Sequence, residues 1–195
     1  MTMIDMAPAA QRLARLIEDV GDDQLGLPTP CPDYTVGDLL DHINSLSLAF
    51  VSAANKTNEV GKRPPMGDAA RLGDDWRTRI PAQLAGMADA WRDPEAWSGM
   101  TVIGGGDTPG DVTGLIGLDE LLVHGWDIAR ATGQELECDG ETLEACRTVL
   151  LMFAVPGKVV EPGAPFGTVV EVPDDAPLLD RVLGLSGRDP GWSPS

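Results

Sequence analysis

Apolar side chains recur every three to four residues over five stretches of the chain, the spacing that gathers them on one face of an α-helix. Ala9, Leu13, Leu16, Ile17 and Val20 form the first stripe, and Gly21 stands where a helix stops. The segment LGLPTPCPDY that follows holds three prolines and cannot continue a helix. Thr35 then offers an N-cap, with Asp38 three positions on in the role usually taken by glutamate in a capping box. Val36, Leu39, Leu40, Ile43, Leu46 and Phe50 carry this second helix through about four turns.

Residues 55 to 75 are polar and punctuated by Gly61, Pro64, Pro65, Gly67 and Gly73, which predicts a long exposed connection of the kind that often carries function. Helical spacing returns in Ile80, Leu84, Met87, Ala88 and Trp91 and ends near Asp93 and Pro94. GGGDTPGD, residues 104 to 111, predicts a flexible turn before a fourth helix from Val112 to about Ala131, closed by Gly133. A fifth runs from Gly140 to Ala154. Beyond Pro156, FGTVVEV predicts one short strand and LLDRVLGL a terminal helix. Helices that succeed one another without intervening strands predict an all-α bundle over residues 5–155, with residues 156–195 as a small C-terminal extension of the same domain.

Composition narrows the classes of function. With 195 residues, 43% of them hydrophobic and 23% charged, the chain can bury a full core without staples. Its net charge of -17 repels phosphate backbones and anionic lipid, so neither nucleic acid nor membrane is expected as a partner. Cys31, Cys138 and Cys146 are an odd set without close pairing, which fits a reducing cytoplasm better than a disulfide framework. Charges scattered through the first thirty residues leave no signal-peptide core, and no apolar run is long enough to span a bilayer.

Two histidines are present, His42 on the second helix and His124 on the fourth, and Glu120 lies four residues before His124. Residues at i and i+4 share a helical face, so Glu120 and His124 can converge on one cation while His42 approaches from a facing helix. Two imidazoles and a carboxylate suit zinc first, with nickel, iron and manganese also allowed by ligand type, and they leave a coordination position open for water or substrate. Thr113, Gly117 and Ala131 share that face, and their small size predicts space beside the ion. Asp127 and Asp41 are candidates to orient the imidazoles. The pattern alone also fits ordinary surface or core histidines, because E-x-x-x-H arises by chance in acidic helices.

Gly104, Gly105 and Gly106 suggest a phosphate cradle, but no Walker lysine accompanies them and a loop is the simpler reading. Cys31 is either a reactive thiol or a small packed residue, and the five tryptophans either wall a pocket or fill the core. With both histidines claimed by metal, no base remains for a serine triad.

TPCPDYTVGDLLDHI (29 to 43) and LDELLVHGWDIARATGQ (118 to 134) resemble two blocks of the DinB-like superfamily. The nearer likeness is to its actinobacterial branch, related to the metal-binding domain of mycothiol-dependent maleylpyruvate isomerase, and the late APFGTVVEVPDDAPLLDRVLGLSGRDP resembles the tail of short stand-alone members. The resemblance covers residues 5 to 155. It implies a DinB-like four-helix bundle with an additional helix, and a divalent ion near one end held by the positions of His42, Glu120 and His124. It differs in having Tyr34 where tryptophan is common and Asp33 where glycine is common. The isomerase carries a further C-terminal domain implicated in catalysis and this sequence ends before one, which points away from maleylpyruvate isomerisation itself. The leading expectation is a transferase in which the ion activates a small thiol, mycothiol by resemblance, against a small-molecule electrophile. The alternatives are a metal-dependent hydrolase or isomerase and a non-catalytic module that binds metal or a small ligand. A homodimer is compatible with the bundle faces.

Overall fold

The computed structural model describes residues 3–57, 66–155, 157, 159–160 and 166–194. Helix α1 (Ala7–Glu18) starts where Asp5 accepts the free amide of Ala7 and where Pro8 lacks an amide to satisfy. Helix α2 (Val36–Ala54) starts in the capping box the sequence predicts: the Asp38 amide donates to Thr35 Oγ1 at 3.3 Å and the Thr35 amide to Asp38 Oδ2 at 3.0 Å. Helices α3 (Trp76–Ala90) and α4 (Gly110–Thr132) follow, α4 ending at Gly133 in the left-handed region with φ 74°. Asp139 caps helix α5 (Gly140–Phe153), and α6 (Leu178–Ser186) lies in the extension.

The first four helices form a ring in the order α1, α3, α2, α4, each packed on its two neighbours. Phe50, Leu39, Leu40, Ile80, Leu84, Met87, Leu118 and Ile128 fill its interior and are fully buried. Each such side chain contributes roughly 1.5–3 kcal/mol by leaving water. Helix α5 packs on α4, and α6 on α5. The fold is thus a mainly-α bundle with an added helix, as the resemblance implies.

Two expectations fail. Residues 104 to 111 are not a flexible turn: β1 (Met100–Ile103) and β2 (Gly106–Pro109) form an antiparallel hairpin, and only residues 110 and 111 join α4. Gly104 and Gly105 form its two-residue loop with φ 60° and 83°, the positive pair that a tight hairpin turn requires. They therefore serve as a turn and not as a phosphate cradle. Thr101 pins the hairpin by donating its hydroxyl to the Ala53 carbonyl at 2.6 Å. FGTVVEV, in turn, forms no paired strand among the described residues. Its amides go to the end of α6 instead, Gly167 to Ser186 O at 3.1 Å and Val170 to Gly184 O at 2.9 Å. Of the connection at 55 to 75, residues 58–65 lie outside the described residues. The following 66–71 is docked on α2, with the Ala69 amide on Asp38 and the Asp68 amide on Asp41. Among the described residues no helix is long and apolar enough to cross a membrane.

Candidate metal centre

Helices α2 and α4 are neighbours in the ring, and His42 projects from the first toward Glu120 and His124 on the second. One nitrogen of each imidazole and one Glu120 oxygen all lie within 4.8 Å of one another. The His42 and His124 rings meet edge to face at 5.1 Å between centroids. His124 Nε2 lies 2.8 Å from Glu120 Oε2, and its Nδ1 lies 3.0 Å from Asp127 Oδ2.

The chemistry of this donor set fits a cation. A neutral imidazole carries one N–H, yet His124 faces a carboxylate oxygen at each ring nitrogen. If Nδ1–H is given to Asp127, the Nε2 lone pair confronts the Glu120 oxygen, and something positive must lie between them. In the metal-free protein a proton does this. Burial disfavours charge on His124, but the hydrogen bonds to Asp127 and Glu120 outweigh it and push the pKa up to about 9. Glu120 stays ionised because the same imidazolium overcomes its desolvation. His42 goes the other way: burial and the charge of His124 lower it to about 4, leaving a neutral imidazole with an available lone pair. Its Nδ1 is buried without a hydrogen-bond partner. Two neutral-capable imidazoles, an ionised carboxylate and an orphaned nitrogen are what a divalent ion needs.

The surroundings correct several expectations. Asp127 does orient His124, but Asp41 makes no hydrogen bond to His42: it accepts Arg71 at 2.7 Å and the Asp68 amide at 3.1 Å, holding the docked 66–71 segment. Tyr34 takes up the role of neighbour to His42, its ring centroid 5.0 Å away, while its hydroxyl accepts the Gly67 amide. A Cβ at Gly67 would stand 2.1 Å from the Asp38 carbonyl oxygen, so only glycine lets this segment lie so close to α2. Gly117 does not open space beside the three donors; a Cβ there would meet Met87 and Phe50 at 3.0 Å. Thr113 donates to the Pro109 carbonyl, and Ala131 is in the core. A small apolar cavity nevertheless adjoins Glu120 and His124, lined by Leu13, Ile43, Leu46, Phe50, Leu84 and Met87.

Cys31 is not an activated thiol: burial pushes it up to about 11 despite the nearby Arg188 guanidinium. Trp76, Trp91, Trp97 and Trp126 pack rather than wall a pocket, and Trp192 is half-buried in the extension. Trp91 and Trp97 stack edge to face at 5.3 Å and donate to the Phe50 and Trp91 carbonyls, while Trp76 and Trp126 lie under Arg77 and Arg130.

Comparison with known proteins places this geometry in a family. The family described as the mycothiol maleylpyruvate isomerase N-terminal domain matches residues 6–129, which include all three candidate ligands. The chain belongs to this family. Two proteins of Mycobacterium tuberculosis, the uncharacterized Rv0738 and MT0763 of a second strain, are each 31% identical over 182 residues, covering 92% of this chain and 93% of theirs. The crystal structure of the mycothiol-dependent maleylpyruvate isomerase superposes with a TM-score of 0.57 at 17% identity, over 74% of this chain and 66% of that one. A histidine-to-alanine variant of the same enzyme matches equally. These structures support the fold.

Arg188 lies outside the matched residues. Sequence reasoning passed over it because its partner, Asp127, is 61 positions away, and no local spacing signals such a pair.

Proposed function

We propose that this protein binds a divalent metal ion through His42, Glu120 and His124 and uses it in thiol-dependent transfer chemistry, with a small thiol of the mycothiol type as co-substrate. The observation that carries the metal is the one-proton deficit at His124, an imidazole set between two carboxylates beside a second imidazole with an unpartnered nitrogen. Membership of the mycothiol maleylpyruvate isomerase N-terminal domain family supports the thiol. Zinc is the first choice because a mixed nitrogen and oxygen set of three suits it and keeps a position open.

A bound cation would supply Lewis acidity, which lowers the pKa of a thiol toward neutrality. The chain's residues do the rest. Asp127 holds one His124 proton on Nδ1, which leaves Nε2 as the nitrogen that would give up its proton when an ion binds. Glu120 contributes a negative charge that lowers the net charge of the centre below that of a three-histidine site. Leu46, Phe50 and Met87 line the small apolar cavity beside Glu120 and His124.

The test is conjugation of monochlorobimane by the zinc-loaded protein with mycothiol present. Fluorescence growth that needs protein, metal and thiol together is expected. A fully loaded protein that gives no thiol-dependent turnover with this or other small electrophiles contradicts the transferase reading, and thiol-independent hydrolysis would replace it with ion-assisted hydrolysis.

A further inference from the structure

We propose that Arg188, delivered by the C-terminal extension, is a positioning residue of the metal centre: it fixes the Asp127 carboxylate, which fixes the ring of His124. The proposal rests on the metal reading above and concerns a part of the chain beyond the family's matched residues 6–129.

The contact is two-pronged. Arg188 Nε donates to Asp127 Oδ1 at 3.0 Å, and Nη2 donates to Oδ2 at 3.0 Å. Oδ2 is also the atom that faces His124 Nδ1 at 3.0 Å. An aspartate one helical turn beyond a histidine can reach it unaided, but its carboxylate is free to swing about χ2. A guanidinium fork on both oxygens removes that freedom and sets the carboxylate plane. The side chains of Arg188 and Asp127 are only 10% and 0% exposed, so water does not compete for the bonds.

The backbone is built to aim this arginine. Helix α6 ends in a paired turn in which the Arg188 amide donates to Leu183 O at 2.9 Å and the Gly187 amide to Gly184 O at 3.1 Å, with Gly187 at φ 87°. Gly167 of the FGTVVEV segment presses on this turn: a Cβ at Gly187 would lie 2.6 Å from the Gly167 Cα. Val182 and Leu183 are fully buried, which seats α6 on α5 and α5 on α4, the helix that carries Asp127. Arg188 is thus reached through three packed elements and not through a loose tail.

The experiment compares full-length wild type, R188K and R188M by zinc affinity in chelator competition, by the visible spectrum of the cobalt-substituted protein, and by the His124 ring signals in 1H–15N NMR of the metal-free protein. R188M is expected to weaken zinc roughly 10- to 100-fold, the usual effect of losing an outer partner of a ligand, with a changed cobalt spectrum. R188K keeps the charge without the fork and should recover only part of the loss. Wild-type zinc affinity and an unchanged His124 signal in folded R188M would overturn the proposal. If R188M does not fold, R188K decides: wild-type affinity and spectrum there mean the fork is dispensable and the idea is wrong. If wild type itself takes up no zinc, the metal reading fails. The metal-free NMR then decides Arg188 alone, a shifted His124 ring in the variants supporting its positioning role and an unshifted one refuting it.

Discussion

His124 in the metal-free protein is held charged by Asp127 and Glu120, with its pKa pushed up to about 9, and an incoming cation must expel that proton. Zinc binding at pH 7.5 should therefore release about one proton per ion and weaken as the pH falls. Calorimetry in two buffers of different ionisation enthalpy measures the release, and a value near zero would contradict the geometry. For the metal-free fold the sign reverses: a raised imidazole pKa lends stability fully below its unfolded value of 6.5, and this is lost as pH rises through about 9. Cys31 gives a second residue-scale test. Its thiol, pushed up to about 11, should alkylate far more slowly at pH 8 than Cys residues in the unfolded chain, as mass spectrometry after timed iodoacetamide exposure would show. Fast labelling there would restore the reactive-thiol reading. The convergence of His42, Glu120 and His124 was legible because i, i+4 spacing and the scarcity of histidine are local signals. Tyr34 and Arg188 were not, since the tilted ring contact with His42 and the fork on Asp127 depend on how separate segments pack.

Among the elements, α1 to α4 follow their apolar period because each buries one face in a common ring, while α5 buries its own on α4 and α6 on α5. The hairpin escaped that reading: its strands are four residues each, too short for alternation to register beside a run of glycines. Gly117 was read as pocket space because a helical wheel shows which face a residue occupies and not how near the next helix comes. Gly117→Leu should cost about 1–3 kcal/mol in denaturant unfolding, since Phe50 and Met87 already fill the site, and a neutral result would mean the space is open after all. At the start of α5, Asp139 accepts the Thr142 amide at 2.8 Å and pairs with Arg12, which lowers its pKa to about 2. Asp139→Ala should cost about 1 kcal/mol at pH 7, the usual value of an N-cap. The difference should shrink as pH falls from the carboxylate's ordinary 3.8 through about 2, because a depressed pKa lends stability only above the unfolded value. A cost that persists unchanged at pH 2 would show that the cap's charge is not involved.

At the scale of the whole molecule, the centre joins the matched bundle to the extension. Helices α2 and α4 bring the three donors, and Arg188, just beyond the end of α6, pairs with Asp127 of α4 from the extension. A ligand bound only by the folded state raises its stability, by about 2.7 kcal/mol at a hundredfold excess over Kd. The most direct measurement is the metal content of purified wild type, His42→Ala and Glu120→Ala by elemental analysis, with each protein shown to be folded. Close to one divalent ion per wild-type chain and a sharp loss in both variants is the predicted result. Full retention of metal by both variants would contradict the ligand assignment.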